Sequence, residues 1–185
     1  MHQRALLVID LQNDYFPGGK MELRGVHAAA DNAARLIAAA REVGDLVVHV
    51  RHEFTRPDAP FFVAGSEGAR THAKVSPREG EPVIVKHFAS SFRDTELKAL
   101  LDRHIIREVV ICGAMSHMCI DAATRAAADF GYAVTVVYDA CATRDLEFGG
   151  VAVRAEHVHA AFMAALGSSY AAVKGTEELL QGGLM

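Results

Sequence analysis

The chain has 185 residues, of which 51% are hydrophobic and 23% charged, and its net charge is −4. This length and composition predict one globular domain, residues 1–185, and exclude an intrinsically disordered chain. The sequence lacks a basic cluster of the kind that binds a phosphate backbone, which argues against a nucleic-acid partner. The apolar run Ala5–Ile9 is too short for a secretion signal and no run is long enough to span a bilayer, so we expect no membrane partner and a cytoplasmic location.

Apolar patterning predicts strands and helices that alternate along most of the chain. In chain order they are strand Ala5–Ile9, helix Val26–Val43, strand Leu46–Val50, strand Val83–Val85, helix Thr95–Asp102, strand Val109–Cys112, helix His117–Phe130, strand Ala133–Val137, helix Glu156–Leu166, strand Tyr170–Val173 and helix Thr176–Leu180. Short, continuously apolar strands are typical of a parallel sheet that is buried on both faces. The pattern therefore predicts the α/β class, as a three-layer α/β/α sandwich with a mostly parallel sheet.

The segment Glu53–Pro82 interrupts this alternation. It contains four of the five prolines of the chain and has neither a helical nor a strand period. An irregular loop of this length in a small domain is usually a lid or a binding loop. The alternative is a mobile surface loop that has no functional role.

Three polar side chains follow predicted strands, where an α/β sheet binds its ligands. Asp10 follows the first strand, Lys86 follows the third, and Cys119 lies in the first turn of the helix after the fourth. Free N–H groups in a first helical turn lower the pKa of a thiol. The set therefore indicates a thiol nucleophile with a carboxylate base and a cation. Taken singly, each residue has an ordinary alternative: a turn acceptor for Asp10, a solvated lysine for Lys86 and a packed thiol for Cys119.

The cysteines form an odd and sparse set, which is not typical of a disulfide framework. Cys112 ends an apolar strand, which favours packing as its role. Cys141 is expected in a loop at a strand end, where packing and reactivity are both open. We therefore expect reduced thiols, in agreement with a cytoplasmic location.

Three sequence blocks stand in a fixed order along the chain. They are Ala5–Phe16 (ALLVIDLQNDYF), Val83–His87 (VIVKH) followed by 90–97 (SSFRDTEL), and Gly113–Cys119 (GAMSHMC). Their order and spacing resemble those of the isochorismatase-like hydrolases. The later segments Asp121–Gly131 and His157–Leu166 extend the likeness over nearly the whole chain.

The resemblance implies a six-stranded parallel sheet in a Rossmann-like sandwich and a catalytic triad of Asp10, Lys86 and Cys119. It also implies a cis peptide bond between Ala114 and Met115, with the backbone N–H groups of Met115 and Cys119 forming an oxyanion hole. In this family the vinyl-ether hydrolases lack the cysteine, whereas the amidases have it. Cys119 is thus similar to the nucleophile of the amidase branch.

The same blocks suggest which residues contact a substrate. By their positions in the blocks, the candidates are Gln12, Phe16, Phe92, His117 and Met118. Aromatic and methionine side chains near a core are more often simply packed, and Gln12 is equally suited to a turn.

Three histidines raise the question of a metal. Nicotinamidases of this family bind a divalent metal through an Asp-x-His pair after the second strand and a later histidine, but here that stretch reads Val50-Arg51-His52-Glu53-Phe54. His49, His52 and His72 could in principle bind zinc. Strand alternation, however, places His49 and His52 on opposite faces. We expect no metal and no cofactor.

The three residues predict a thiol nucleophile, and the resemblance implies a cysteine hydrolase that cleaves a C–N bond of a small molecule, in an amide, ureido or cyclic amide group, through a thioester. The alternatives are hydrolysis of a vinyl ether in the same scaffold and a catalytically idle binding subunit. A dinucleotide-binding oxidoreductase is disfavoured because Leu11–Tyr15 lacks the Gly-x-Gly-x-x-Gly turn. The alanine-rich faces of the helices allow close helix packing, either in a core or between subunits, and the resemblance implies a homo-oligomer, either a dimer or a tetramer.

Overall fold

A computed structural model describes residues 3–182 of the chain. Its helices and strands, in chain order, are β1 (Arg4–Ile9), α1 (Val26–Val43), β2 (Leu46–His52), β3 (Val83–Lys86), α2 (Leu97–Arg103), β4 (Glu108–Ala114), α3 (Asp121–Asp129), β5 (Ala133–Ala142), β6 (Leu146–Phe148), β7 (Val151–Val153), α4 (Ala155–Ser169), β8 (Ala172–Lys174) and α5 (Thr176–Gln181). Short 3₁₀ turns lie at Asn13–Tyr15 and Ala73–Val75, and a π-helical turn lies at Ser116–Ile120.

Six strands form one parallel sheet in the order β3-β2-β1-β4-β5-β8, which confirms the predicted six-stranded parallel sheet. The chain builds the sheet outward from β1 to β3 and then returns to add β4, β5 and β8 on the other side. At such a reversal the carboxyl ends of two adjacent strands diverge into a crevice that binds ligands. Here the crevice lies at the ends of β1 and β4.

Strand β1 illustrates how the sheet separates two helical layers. Leu6 and Val8 pack in one core cluster with α1, whereas Leu7 and Ile9 pack in a second cluster with α2, α3 and α4. Alternate side chains of a strand point to opposite faces, so both faces of β1 are buried. This accounts for its uninterrupted apolar sequence.

Several element boundaries differ from the predicted ones. Strand β5 continues to Ala142, so Cys141 lies within a strand and not in the loop predicted for it. The helix predicted over His117–Phe130 is a π-helical turn followed by α3, so Cys119 belongs to the turn. Helix α4 continues past Gly167, which was expected to end it.

The antiparallel hairpin β6–β7 was missed by the sequence reasoning. Its strands have three residues each, too few for a periodic signal, although Gly149-Gly150 between them is a typical hairpin turn.

The segment Glu53–Pro82 is tied to the residues that follow β1. The Gln12 side-chain amide donates to the carbonyls of His52 and Ala69, each at 2.8 Å, and its oxygen accepts from the His52 N–H at 2.8 Å. The Asp14 carboxylate accepts from the Phe62 N–H at 2.7 Å. These buried contacts fix the segment as part of the wall of the crevice described below.

Over residues 3–182, none of the helices combines the length and the apolar character needed to cross a membrane.

Candidate active site

Asp10 lies at the end of β1 in a left-handed backbone conformation, with a φ of 53°. Its N–H donates to the Val50 carbonyl of β2 at 2.9 Å, and its side chain is fully buried. The neighbouring strand β4 approaches closely here, because a Cβ atom on Gly113 would overlap the carbonyl oxygen of Ile9. Glycine at position 113 therefore lets β4 lie close against the end of β1.

Lys86 ends β3, and its ammonium group is the centre of the cluster. The Nζ atom lies 2.8 Å from Asp10 Oδ2 and donates to Cys119 Sγ at 3.1 Å and to the Phe88 carbonyl at 3.1 Å. The Lys86 and Asp10 side chains are both fully buried. Burial alone would lower the pKa of Lys86, but the adjacent Asp10 charge outweighs it and raises that pKa. The lysine is therefore charged and orients both partners.

His52 is a fourth member of this cluster. It ends β2 directly beside Lys86 in the strand register, and its Nδ1 lies 3.2 Å from Lys86 Nζ. Burial and the Lys86 charge lower the pKa of His52 to about 4, and they outweigh the opposing effects of the Asp10 charge and the Phe88 carbonyl. The imidazole is neutral at pH 7 and presents the lone pair of Nδ1 to the ammonium group.

The resting state of Cys119 is a thiol. Burial and the adjacent Asp10 charge raise the pKa of Cys119, and Lys86 only partly offsets them. This differs from the lowered pKa expected for a thiol in a first helical turn. The reason is first the burial of the sulfur, which disfavours its charged form, and second the adjacent Asp10 carboxylate, which repels another negative charge.

The backbone before Cys119 turns sharply. The peptide bond between Ala114 and Met115 is cis, as the family resemblance implies. The Met115 carbonyl accepts from the N–H groups of Met118 and Ile120 in the π-helical turn. Among the turn and loop hydrogen bonds of residues 3–182, the Met115 N–H group donates to no backbone carbonyl.

A cavity of about 300 Å³ opens directly onto the sulfur of Cys119. Its lining is largely aromatic and consists of Tyr15, His52, Phe54, Phe61, His87, Phe88, Ala89, Met115, Met118 and Cys119. This volume lies at the lower end of the range for small-molecule sites. Of the cluster, Cys119 and His52 thus line a pocket large enough for a small ligand, and the charged pair Asp10–Lys86 lies buried behind them.

Of the five predicted substrate contacts, only Met118 lines this cavity. The Gln12 side chain is hydrogen-bonded to the backbone of His52 and Ala69. Phe16 stacks on His72, with ring centroids 3.6 Å apart. Phe92 packs against Phe130.

The fifth predicted contact, His117, also lies outside the cavity lining. Its Nδ1 lies 2.6 Å from the Thr143 hydroxyl, and its ring packs against Phe162.

The three histidines considered for a metal do not converge. His49 bonds to Glu81 at 3.0 Å, His72 stacks on Phe16, and only His52 lies in the cluster. Donor atoms of Asp10, His52 and Cys119 do lie within 4.8 Å of one another.

The ammonium group of Lys86 already occupies that cluster. It lies within 3.2 Å of a donor atom on each of the three side chains, Asp10, His52 and Cys119. A metal ion would have to displace this buried cation.

The sequence reasoning missed His52 as a member of the cluster and Tyr15, Phe54, Phe61 and Phe88 as parts of the wall. His52 could have been found by the same rule that found Asp10 and Lys86, because it ends β2 and neighbouring parallel strands end at one edge of the sheet. The phenylalanines carry no such signal, since their position depends on the path of an irregular loop.

Comparison with known proteins agrees with this geometry. Residues 4–178 match the family model described as the isochorismatase domain. An uncharacterised isochorismatase family protein of Bacillus subtilis is 51% identical over 96% of this chain and 98% of its own. The maleamate amidohydrolase of Pseudomonas putida is 34% identical over 76% of this chain and 72% of its own.

The crystal structure of an isochorismatase hydrolase homologue from Oleispira antarctica superposes with a TM-score of 0.94. Its sequence is 56% identical, and the match covers 97% of this chain and 96% of that one. With a family model that spans nearly the whole sequence and this structural likeness, the chain belongs to the isochorismatase family of hydrolases.

Proposed function

We propose that the protein is a cysteine hydrolase that cleaves a C–N bond of a small molecule, in an amide, ureido or cyclic amide group, through a thioester intermediate. The observation that carries the proposal is the buried contact of Lys86 Nζ with both Asp10 and Cys119 at the floor of the cavity. A nucleophile held beside a base, with a cation that orients both, is the arrangement that covalent catalysis needs. The likeness to an amidohydrolase supports the same reaction class.

The first half of the reaction follows from the charges of the cluster. Because the pKa of Cys119 is raised, the thiol loses its proton to Asp10 as the sulfur attacks the carbonyl carbon. The N–H groups of Met115 and Cys119 stabilise the resulting oxyanion. The C–N bond then breaks, and Asp10 gives the proton to the departing nitrogen. The products of this half are an amine or ammonia and a thioester on Cys119.

The second half uses the same groups in reverse. Water attacks the thioester carbonyl, and Asp10 accepts its proton. The C–S bond breaks, and the proton returns from Asp10 to the sulfur of Cys119. Lys86 keeps its charge throughout, so the cluster returns to its starting state with one water consumed.

The test is the release of ammonia from a panel of small primary amides and ureido compounds. We expect turnover by the wild type and a loss of about 10³-fold or more in kcat for Cys119→Ser and Asp10→Asn. Cys141→Ser is the matched control, since Cys141 is also a buried thiol but lies outside the cavity. Turnover that survives in Cys119→Ser contradicts the proposal.

Location and assembly are proposals of the same kind. The three unpaired cysteines favour a reducing compartment such as the cytoplasm. The exposed apolar tip of the β6–β7 hairpin, with Phe148 88% and Val151 63% exposed, favours a homo-oligomer. Light scattering coupled to gel filtration measures the assembly directly, and a monomer at micromolar concentration contradicts it.

A further inference from the structure

Ser116 is the first residue of the turn that carries Cys119, and it is fully buried. Its hydroxyl Oγ lies 2.8 Å from Nδ1 of His159 on α4 and 3.4 Å from the Ala142 carbonyl at the end of β5. Burial lowers the pKa of His159, so its ring is neutral at pH 7 and can pair with a hydroxyl in either direction. The start of the turn is thus held by a helix and by a strand.

The next residue of the turn contacts the same two parts of the fold. His117 Nδ1 lies 2.6 Å from the hydroxyl of Thr143, a buried residue directly after β5. The His117 ring packs edge-on against Phe162 of α4, with ring centroids 6.0 Å apart. Two successive side chains of the turn are therefore anchored to α4 and to the end of β5.

His159 does not reach the reacting atoms. Among residues 3–182, the lining of the cavity above Cys119 includes neither Ser116 nor His159. His159 instead lines a separate cavity of about 330 Å³, together with Cys141. An effect of His159 on the reaction therefore has to pass through Ser116 and the turn.

The position of the Cys119 sulfur depends on the orientation of this turn. The Met115 carbonyl accepts from the N–H groups of Met118 and Ile120, and these short-range bonds shape the turn without tying it to α4 or β5. Cys119 Sγ lies 3.1 Å from Lys86 Nζ, which belongs to β3. Strands β3 and β5 lie on opposite sides of the β1–β4 crevice, so the nucleophile is held from the β5 side at the right distance from a group on β3. A misplacement of about 1 Å in such a site can cost about 10²-fold in rate.

We infer that His159 is a positioning residue for the proposed reaction, because its hydrogen bond to Ser116 orients the turn that carries the nucleophile. Through this bond the sulfur of Cys119 stays beside Lys86 and Asp10. The inference rests on the proposed function and deepens it by adding a residue from outside the substrate cavity to the catalytic arrangement. Loss of this bond should slow the chemical step and leave the cavity wall unchanged.

The first experiment measures kcat and KM for an amide that the wild type turns over. We expect kcat to fall at least about tenfold in His159→Leu and in Ser116→Ala, with KM within about twofold of the wild type. Since both changes break the same bond, the double variant should be no slower than the slower single variant. His159→Asn, whose side-chain amide can donate or accept near the former position of Nδ1, should retain most of the wild-type kcat. The matched control is His157→Leu, at an exposed histidine of the same helix, which should leave both constants unchanged.

Urea unfolding of each variant establishes that it is folded under the assay conditions. If His159→Leu is unfolded, Ser116→Ala and His159→Asn supply the same comparison. An unchanged kcat in Ser116→Ala overturns the inference. So does a loss as large in His159→Asn as in His159→Leu, or a double variant whose loss is the product of the two single losses.

The second experiment needs no substrate. The rate of Cys119 alkylation by iodoacetamide is followed against pH by mass spectrometry. The charged or titratable groups around its sulfur are Asp10, Lys86 and His52. In the wild type, burial and the Asp10 charge raise the pKa of Cys119. In Ser116→Ala the sulfur moves away from the carboxylate, so the midpoint of the profile should shift down towards about 8.5, the ordinary value of a solvated thiol. A purely structural role would lower stability without moving this midpoint, and an unchanged midpoint overturns the inference.

These results are separable from those that test the hydrolase itself. If the wild type turns over no amide, the proposed function fails, while the alkylation profiles still decide whether the turn is held through Ser116. If turnover depends on Cys119 but Ser116→Ala and His159→Leu behave like the His157→Leu control in both experiments, the proposed function stands and the present inference fails.

Discussion

Acid destabilisation through His52 is a quantitative consequence of the buried cluster. In the folded protein the pKa of His52 is lowered from 6.5 to about 4 by burial and by the Lys86 charge. His52 is therefore protonated below about pH 6.5 in the unfolded chain but only below about pH 4 in the folded chain. The free energy of unfolding is unaffected above pH 6.5 and falls as the pH drops through this window. From the two pKa values, the loss between pH 8 and pH 5 is about 2 kcal/mol.

The assay is urea unfolding of the wild type and of His52→Gln at pH 8 and pH 5. Glutamine keeps an acceptor for Lys86 but does not titrate, so the variant should lose about 2 kcal/mol less than the wild type over this range. Other histidines contribute equally to both proteins and cancel in the difference. The same pH dependence in both proteins would refute the claim that His52 is buried, neutral and adjacent to a charged lysine.

Two further predictions concern the frame around the site. In thermal unfolding, Gly113→Ala should lower stability by about 3 kcal/mol or more, because its Cβ would overlap the Ile9 carbonyl, and it should abolish activity. The control Gly131→Ala, also at positive φ but with open space around it, should lower stability by only about 1 kcal/mol. Equal losses of stability in the two variants would contradict the steric argument. Burial alone would raise the pKa of Glu81, but hydrogen bonds from Arg41 hold it at about 2. Glu81→Gln should therefore lower the free energy of unfolding at pH 7 by about 2 kcal/mol. In the wild type this contribution is lost as the pH falls from 4.5 towards 2, so the variant should show a weaker dependence of stability on pH in that range. The same pH dependence in both proteins would contradict the prediction.

The fold was predictable from the sequence because its strands are short apolar runs with clear ends. The same rule placed Asp10 and Lys86 at one edge of the sheet, and the structure brings them together with Cys119. The state of the thiol was not predictable. A helix terminus favours a thiolate, but burial of the Cys119 sulfur, together with the adjacent Asp10 charge, raises the pKa of the thiol, and burial is a property of the packed molecule.

The cavity wall was the least predictable part. Phe16 and Phe92 stand in the recognised blocks, yet both pack elsewhere, whereas Phe54 and Phe61 come from the irregular loop. The loop is positioned by Asp14 and by other buried polar contacts across more than 40 residues of sequence. Such long-range hydrogen bonds leave no local pattern from which the wall could have been read.

The most direct test of the central claim is the mass of the protein during turnover of an amide substrate. Rapid acid quench and intact mass measurement should detect a species heavier by the acyl group, and peptide mapping should place that group on Cys119. In Asp10→Asn the adduct should form far more slowly, because the thiol has lost its proton acceptor. Turnover without any adduct, or an adduct on Cys112 or Cys141 instead, would contradict catalysis through a thioester at Cys119.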